Sequence, residues 1–311
     1  MELKMINKNL NKIQKLFSSH ILLYHSTFSE IPREIEDGLH NIHPEVLFKQ
    51  ISWYKNNFDI VKVDELFNSS NIKGKMSITF DDGYQSVFDE AIPILKELNV
   101  PCTIFINGSS INNSIFWRDK IRFIINKNLI EDFLKYFKNE IKISSLTKYN
   151  FYKQTKSPSI NSKYIEGLCD KFLKERHTEL KLNNYCITSQ NQLVDDSLVS
   201  YGNHSYSHYV LSSLSTDEQE NEISKNHKIL ESCSNKSKIF AIPFGGPKDF
   251  NSKTIEIIKK YGYEGVLFSQ DKINLLPNKK NAYGLERFMA PNSDSGLHKF
   301  LPKVLLRSVL L

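Results

Sequence analysis

The sequence predicts an α/β fold built around a parallel sheet, open or closed into a barrel, and three observations predict it. Short apolar runs alternate with longer amphipathic stretches over much of the chain, the rhythm of successive β-α units. The runs are rich in β-branched and aromatic residues without clean period-two alternation, as expected of strands covered on both faces. The 311 residues, 40% hydrophobic and 24% charged, suffice for a substantial core in one large domain or two modest ones, and they exclude a disordered or collagen-like chain.

At the start of the chain, residues 1–19 carry basic side chains but neither a continuous apolar stretch nor a small-residue cleavage site. They read as an extension rather than a secretory signal. Strands are expected at residues 21–24 (ILLY), 77–80 (SITF), 103–106 (TIFI), 198–201 (LVSY), 239–242 (IFAI) and 265–268 (GVLF). Helices are expected at 44–56, 87–98, 217–231 and 254–261. Thr216 opens the third as N-cap, with Asp217 and Glu218 in the first turn, where carboxylates favour the helix dipole. Residues 111–191 break the rhythm. Their Lys-, Asn- and Phe-rich helical stretches surround a polar patch, TKYNFYKQTKSPS, and read as a helical insertion into a single domain spanning 20–311. The tail, HKFLPKVLLRSVLL, is apolar with basic punctuation, and reads as a closing helix on the core or as a membrane-surface helix.

Lys and Arg outnumber Asp and Glu by 41 to 35, a net charge of +6. The excess is small and scattered, which argues against nucleic acid as a partner and leaves weak attraction to anionic lipid or an acidic glycan open. Cys102, Cys169, Cys186 and Cys233 form no CxxC pair, so neither a thiolate zinc cluster nor a disulfide framework is expected. No stretch of about 18 apolar residues occurs, and the cytoplasm is the default expectation.

Three clusters carry chemistry, each just after a predicted strand. In SITFDDGY, residues 77–84, Asp81 and Asp82 would point to opposite faces of a regular strand. At the strand's C-terminal end, with Gly83 permitting an unusual turn, both can face one cavity, and that end is where parallel α/β folds bind ligands. Alone, Asp-Asp-Gly reads as a solvated turn. In GNHSYSH, residues 202–208, His204 and His208 are four apart, which on a helical turn puts both imidazoles on one face. Two neutral nitrogens and one carboxylate leave a divalent ion an open position for water. An isolated pair of this spacing reads as surface or hydrogen-bonded histidines; the joint occurrence of both clusters at strand ends points to a metal site. In FAIPFGGP, residues 240–247, proline, an aromatic and two glycines make a loop able to aim a backbone N–H at a developing oxyanion, and the string equally suits an ordinary turn.

These residues, in this order, resemble the polysaccharide deacetylases, the NodB-homology proteins of carbohydrate esterase family four. The likeness rests on Thr79-Phe-Asp81-Asp82-Gly83-Tyr84, then His204-Ser-x-x-His208, then Phe240-Ala-Ile-Pro243-Phe244-Gly245. Leu23-Tyr24-His25, FDIVKVDELF and Phe116-Trp117-Arg118-Asp119 add to it. It runs over roughly residues 21–288 and is weakest across 111–191. The resemblance implies a distorted (β/α)7 barrel and a divalent metal, usually zinc, with cobalt, nickel or manganese as alternatives. Asp82, His204 and His208 would ligate it, and Asp81 would be the general base. The metal would make its water acidic and polarise an acetamide carbonyl, with the backbone N–H of Phe244 sharing the oxyanion.

Two departures accompany the likeness. Where many members carry an arginine two residues before the proline of the third motif, this chain has Ala241. Arg287, in Gly284-Leu-Glu-Arg287-Phe, can supply that charge from another strand end and hold the base's pKa down, or make an ordinary surface pair. The family's late histidine, which protonates the leaving amine, has two candidates, His298 in GLHK and His25 at the end of the first strand. Failing both, protonated Asp81 can return its proton to nitrogen. His20, His40, His43, His177 and His227 receive no role. The expected protein is a cytoplasmic, metal-dependent N-deacetylase acting on an N-acetylated sugar of a surface polysaccharide or of a lipid- or nucleotide-linked precursor, with peripheral contact to the inner membrane face. The alternative is a catalytically impaired member that binds glycan or scaffolds an assembly.

Overall fold

The computed structural model describes residues 18–112, 114–140, 143–176, 180, 185–275, 283–293, 304 and 308. Its strands are β1 (Ser18–Tyr24), β2 (Asp59–Ile60), β3 (Lys75–Asp82), β4 (Cys102–Ile106), β5 (Val199–Asn203), β6 (Lys236–Ala241), β7 (Gly265–Ser269), β8 (Asn274–Leu275) and β9 (Gly284–Met289). β1 pairs in parallel with β3, the ladder continues through β4, β5, β6, β7 and β9, and β9 returns to β1. The result is the closed seven-stranded parallel barrel expected above. The two-residue β2 extends β3 in parallel, and β8 pairs antiparallel with the start of β1.

Closure explains why the strands read as continuous apolar runs. One set of side chains, including Ile21, Phe105, Ile239, Leu267 and Leu285, packs as its own buried cluster. The alternate set, including Leu22, Ile78, Ile104, Tyr201, Phe240 and Phe288, packs into the larger cluster shared with the helices. Both faces are dry, so alternation is lost. A side chain at Gly202 would sit 2.3 Å from the Phe105 ring, so glycine on β5 is what lets that ring pack against it.

The helices outside the barrel are α1 (Pro44–Lys55), α2 (Val63–Asn68), α3 (Ile92–Glu97), α4 (Trp117–Asn126), α5 (Ile130–Tyr136), α6 (Phe151–Gln154), α7 (Ser162–Glu175), α8 (Thr216–Leu230) and α9 (Ser252–Lys260). The stretch expected at 87–98 opens as a π turn, Val87–Ala91, before α3. α8 is capped by Ser215 and not by Thr216: the Ser215 hydroxyl accepts from the Glu218 N–H while the Glu218 carboxylate reaches back to the Ser215 N–H. Four helices, α4 to α7, fill the connection between β4 and β5. Edge-to-face contacts of Phe133 with Phe151 and Phe172, each at 5.3 Å between centroids, knit them together.

Residues 18 and 19, assigned above to an N-terminal extension, belong to β1. The remainder of that extension and most of the apolar tail lie outside the described residues. Among the described residues no helix is long and apolar enough to cross a membrane.

Candidate active site

Because the barrel strands are parallel, their C-terminal ends share one rim, and the singled-out residues stand there. β3 delivers Asp81 and Asp82, both buried. Asp82 has φ +76° and Gly83 φ +80°. Two successive left-handed residues break the strand's alternation, so both carboxylates line one cavity. Such backbone in a non-glycine persists only where its surroundings fix it, and Asn107 Nδ2 donates to Asp82 Oδ1 at 3.2 Å.

β5 runs directly into His204. The segment from His204 to His208 is not a helical turn but an irregular loop, with Ser205 at φ +61° and His208 at φ +58°. The rings meet, 4.7 Å between centroids, because the backbone reverses and not because of helical spacing. Asn203 Oδ1 accepts the Ser205 N–H at 2.9 Å and Ser205 Oγ accepts the His208 N–H at 3.0 Å. Glu222 Oε2 accepts the Ser207 N–H at 2.6 Å, and Trp117 Nε1 donates to the His208 carbonyl at 3.0 Å. The last bond ties the helical insertion to this loop.

His204 Nδ1 lies 2.8 Å from the Ala241 carbonyl oxygen, so the proton sits there and Nε2 presents a lone pair. That Nε2 is buried without a hydrogen-bond partner. It stands 3.8 Å from Asp82 Oδ1, and His208 Nε2 stands 3.5 Å from the same oxygen. One ligand atom from each of Asp82, His204 and His208 lies within 4.8 Å of the others. Burial lowers the pKa of both histidines and keeps the rings neutral. Burial and the neighbouring Asp81 push Asp82 up to about 7. Two lone-pair imidazoles and a carboxylate with no cation in direct contact among the described residues fit a divalent cation with an open position.

Asp81 is clamped. Arg287, reaching in from β9 and fully buried, donates Nη1–H to Oδ1 at 2.7 Å and Nη2–H to Oδ2 at 2.8 Å. Burial pushes the Asp81 carboxyl up, but the charge and hydrogen bonds of Arg287, with His204 and His25 adding to them, bring it below its ordinary value. His25, at the end of β1, lines the same cavity; its Nδ1 is buried without a partner, and burial holds its pKa at about 3. Phe244, at φ +61°, also stands on the wall, its ring 4.6 Å from that of His208. His298 lies outside the described residues.

The wall contains residues that sequence reasoning missed. His40, given no role above, lines the cavity with its ring centroid 5.2 Å from that of His25 and tilted to it by 37°. Arg118, Arg122, Tyr152 and Lys156 come from the insertion. Only the Phe-Trp-Arg-Asp string hinted at one of them. No spacing links the others to the barrel motifs.

The profile described as Polysaccharide deacetylase matches residues 68–158 and 181–266, more than half of the chain. No curated protein matches it. Among solved structures, the fold is similar to a Streptococcus pyogenes deacetylase, PplD, determined with acetate, at 16% identity and TM-score 0.57, covering 93% of this chain and 98% of that one. It is also similar to IcaB from Ammonifex degensii, at 16% identity and TM-score 0.55, covering 91% and 97%. A de-N-acetylase from Aggregatibacter actinomycetemcomitans is similar at 15% identity and TM-score 0.54, covering 91% and 99%.

Proposed function

This chain belongs to the polysaccharide deacetylase family, a hydrolase acting on N-acetyl sugars, and from that premise we propose a divalent-metal-dependent removal of acetyl from a sugar of a surface polysaccharide or of its lipid- or nucleotide-linked precursor. The observation that carries the proposal is the convergence of three ligand atoms within 4.8 Å, beside a carboxylate gripped at both oxygens by an arginine.

Asp82, His204 and His208 would hold the cation, zinc first among the choices for two imidazoles and a carboxylate. When bound, the ion would supply Lewis acidity, polarising the acetamide carbonyl and making water acidic enough to serve as a nucleophile near neutral pH. Asp81, kept ionised by Arg287, takes the proton of the attacking water as the carbon–oxygen bond forms. The Phe244 N–H donates to the carbonyl oxygen as charge gathers there. A carboxyl with a depressed pKa releases a proton readily, so Asp81 passes it to the nitrogen as the carbon–nitrogen bond breaks. His25, whose pKa burial holds at about 3, lines the same cavity beside this transfer. Acetate and a free amino sugar leave.

Acetate release from N-acetylglucosamine oligomers, measured with added zinc or cobalt, tests the reading. Asp81→Asn is expected to lower kcat by about 10²–10⁴-fold. Equal release by wild type and variant would remove Asp81 as the base.

A further inference from the structure

The insertion gives the cavity a charge that deacetylation of a neutral sugar does not use. Of the cations on the wall, Arg287 is neutralised by Asp81 and Arg122 by Asp119 at 2.5 Å. Arg118 and Lys156 make no close ion pair among the described residues; Asp249 attracts Lys156 only from a distance. Arg118 is 2% exposed. It donates to Thr155 Oγ1 at 3.0 Å and to the Tyr152 carbonyl at 2.9 Å, and its guanidinium lies 4.8 Å from the Trp117 ring centroid and 4.4 Å from that of Tyr152. Lys156 Nζ lies 5.4 Å from the same tyrosine ring and 5.5 Å from the ring of Phe244, which itself packs on His208. Two cations thus lie against one aromatic ring, and one of them also against Phe244, beside the proposed metal ligands.

Sequestering a guanidinium from water without a counter-ion is unfavourable unless an anion arrives to pair with it. Burial draws Arg118 down to about 10, and burial followed by repulsion from Arg118 lowers Lys156 below an ordinary lysine, outweighing the attraction of Tyr152 and Asp249. At Tyr152, Arg122, Arg118 and Lys156 together outweigh the upward push of burial and lower the phenol.

We propose that Arg118 and Lys156 form a subsite for an anionic group, carboxylate or phosphate, carried by the N-acetylated sugar itself. The planar guanidinium suits either group, and the lysine adds a mobile point charge. The substrate class is then an acidic or phosphate-bearing sugar rather than a neutral polymer. This rests on the deacetylase reading of the same cavity.

Calorimetric titration of the zinc-loaded protein with N-acetylglucosamine, N-acetylmuramic acid, N-acetylglucosamine 1-phosphate and acetate tests it. At least one anionic sugar is expected to bind about tenfold tighter than the neutral one, with the preference shrinking as salt is raised. The stronger of the two identifies the anion as carboxylate or phosphate. Lys156→Gln is expected to reduce the anionic-to-neutral ratio about fivefold and Lys156→Arg to restore most of it. The proposal is overturned if neutral and anionic sugars bind alike, or if Lys156→Gln weakens acetate as much as the anionic sugars, since the cations would then serve the product. Acetate release read in parallel separates the two claims: anion preference without turnover sinks the deacetylase reading, and equal turnover of neutral and anionic sugars sinks the subsite.

Discussion

At the scale of single residues, the Asp81–Arg287 pair sets both stability and chemistry. Both charges are out of water, and two short hydrogen bonds hold them. Removing one partner strands the other, so Arg287→Met is expected to lower stability by about 3–5 kcal/mol in urea denaturation. The sign of the pH effect follows from the pairing. The folded-state pKa of Asp81 is depressed, so its contribution to stability is present above the ordinary carboxylate value and is lost as pH falls through the lower folded value. Without Arg287, burial is left to push Asp81 up, and the acidic limb of the kcat/KM profile should move to higher pH. Arg287→Lys should recover only part of either effect, because an ammonium cannot grip both oxygens. An unmoved acidic limb in Arg287→Met would separate the pair from catalysis. From sequence alone Arg287 was poised between this role and a surface pair, since burial decides the matter and burial is a property of the closed barrel.

Among the elements, those whose local chemistry and tertiary packing agree were the readable ones. Six barrel strands announced themselves because both of their faces are dry. β9 did not stand out as an apolar run, since Glu286 and Arg287 interrupt it, and Arg287 is there for the site. The start of α8 shows how finely a cap can be misplaced: Ser215 and Thr216 are both good N-cap residues, and only the Ser215 hydroxyl accepts the Glu218 N–H. Ser215→Ala is therefore expected to cost about 1 kcal/mol by chemical denaturation and Thr216→Ala close to nothing; the reverse order would move the cap. On β5, the close approach of Phe105 to Gly202 makes Gly202→Ala an overpacking change of about 1–3 kcal/mol. The His204–His208 loop was read with the wrong backbone, because an i, i+4 spacing suggests a helix while two left-handed residues give the same meeting of rings.

For the molecule as a whole, barrel closure is what assembles the cavity. The ends of β1, β3, β5, β6, β7 and β9 and two stretches of the insertion, 116–122 and 152–156, contribute to one wall. The barrel contributions could be guessed because strand ends in such folds face one way; the insertion's could not, because its helices are positioned by packing and not by any motif. The assembled triad makes a prediction that does not depend on turnover. A cation that binds the folded chain and not the unfolded one adds stability, about 2.7 kcal/mol at a hundredfold excess over its dissociation constant. Zinc added to chelator-treated protein should accordingly raise the denaturation midpoint. His204→Ala and His208→Ala should lose that increment, and Lys156→Gln should keep it. Binding should also compete with a proton, since burial and Asp81 hold Asp82 at about 7 without the ion. The zinc-induced increment should then shrink as pH falls below about 7. An undiminished increment in His208→Ala would place the ion elsewhere on the chain and leave the three side chains as a hydrogen-bonded cluster in a barrel mouth.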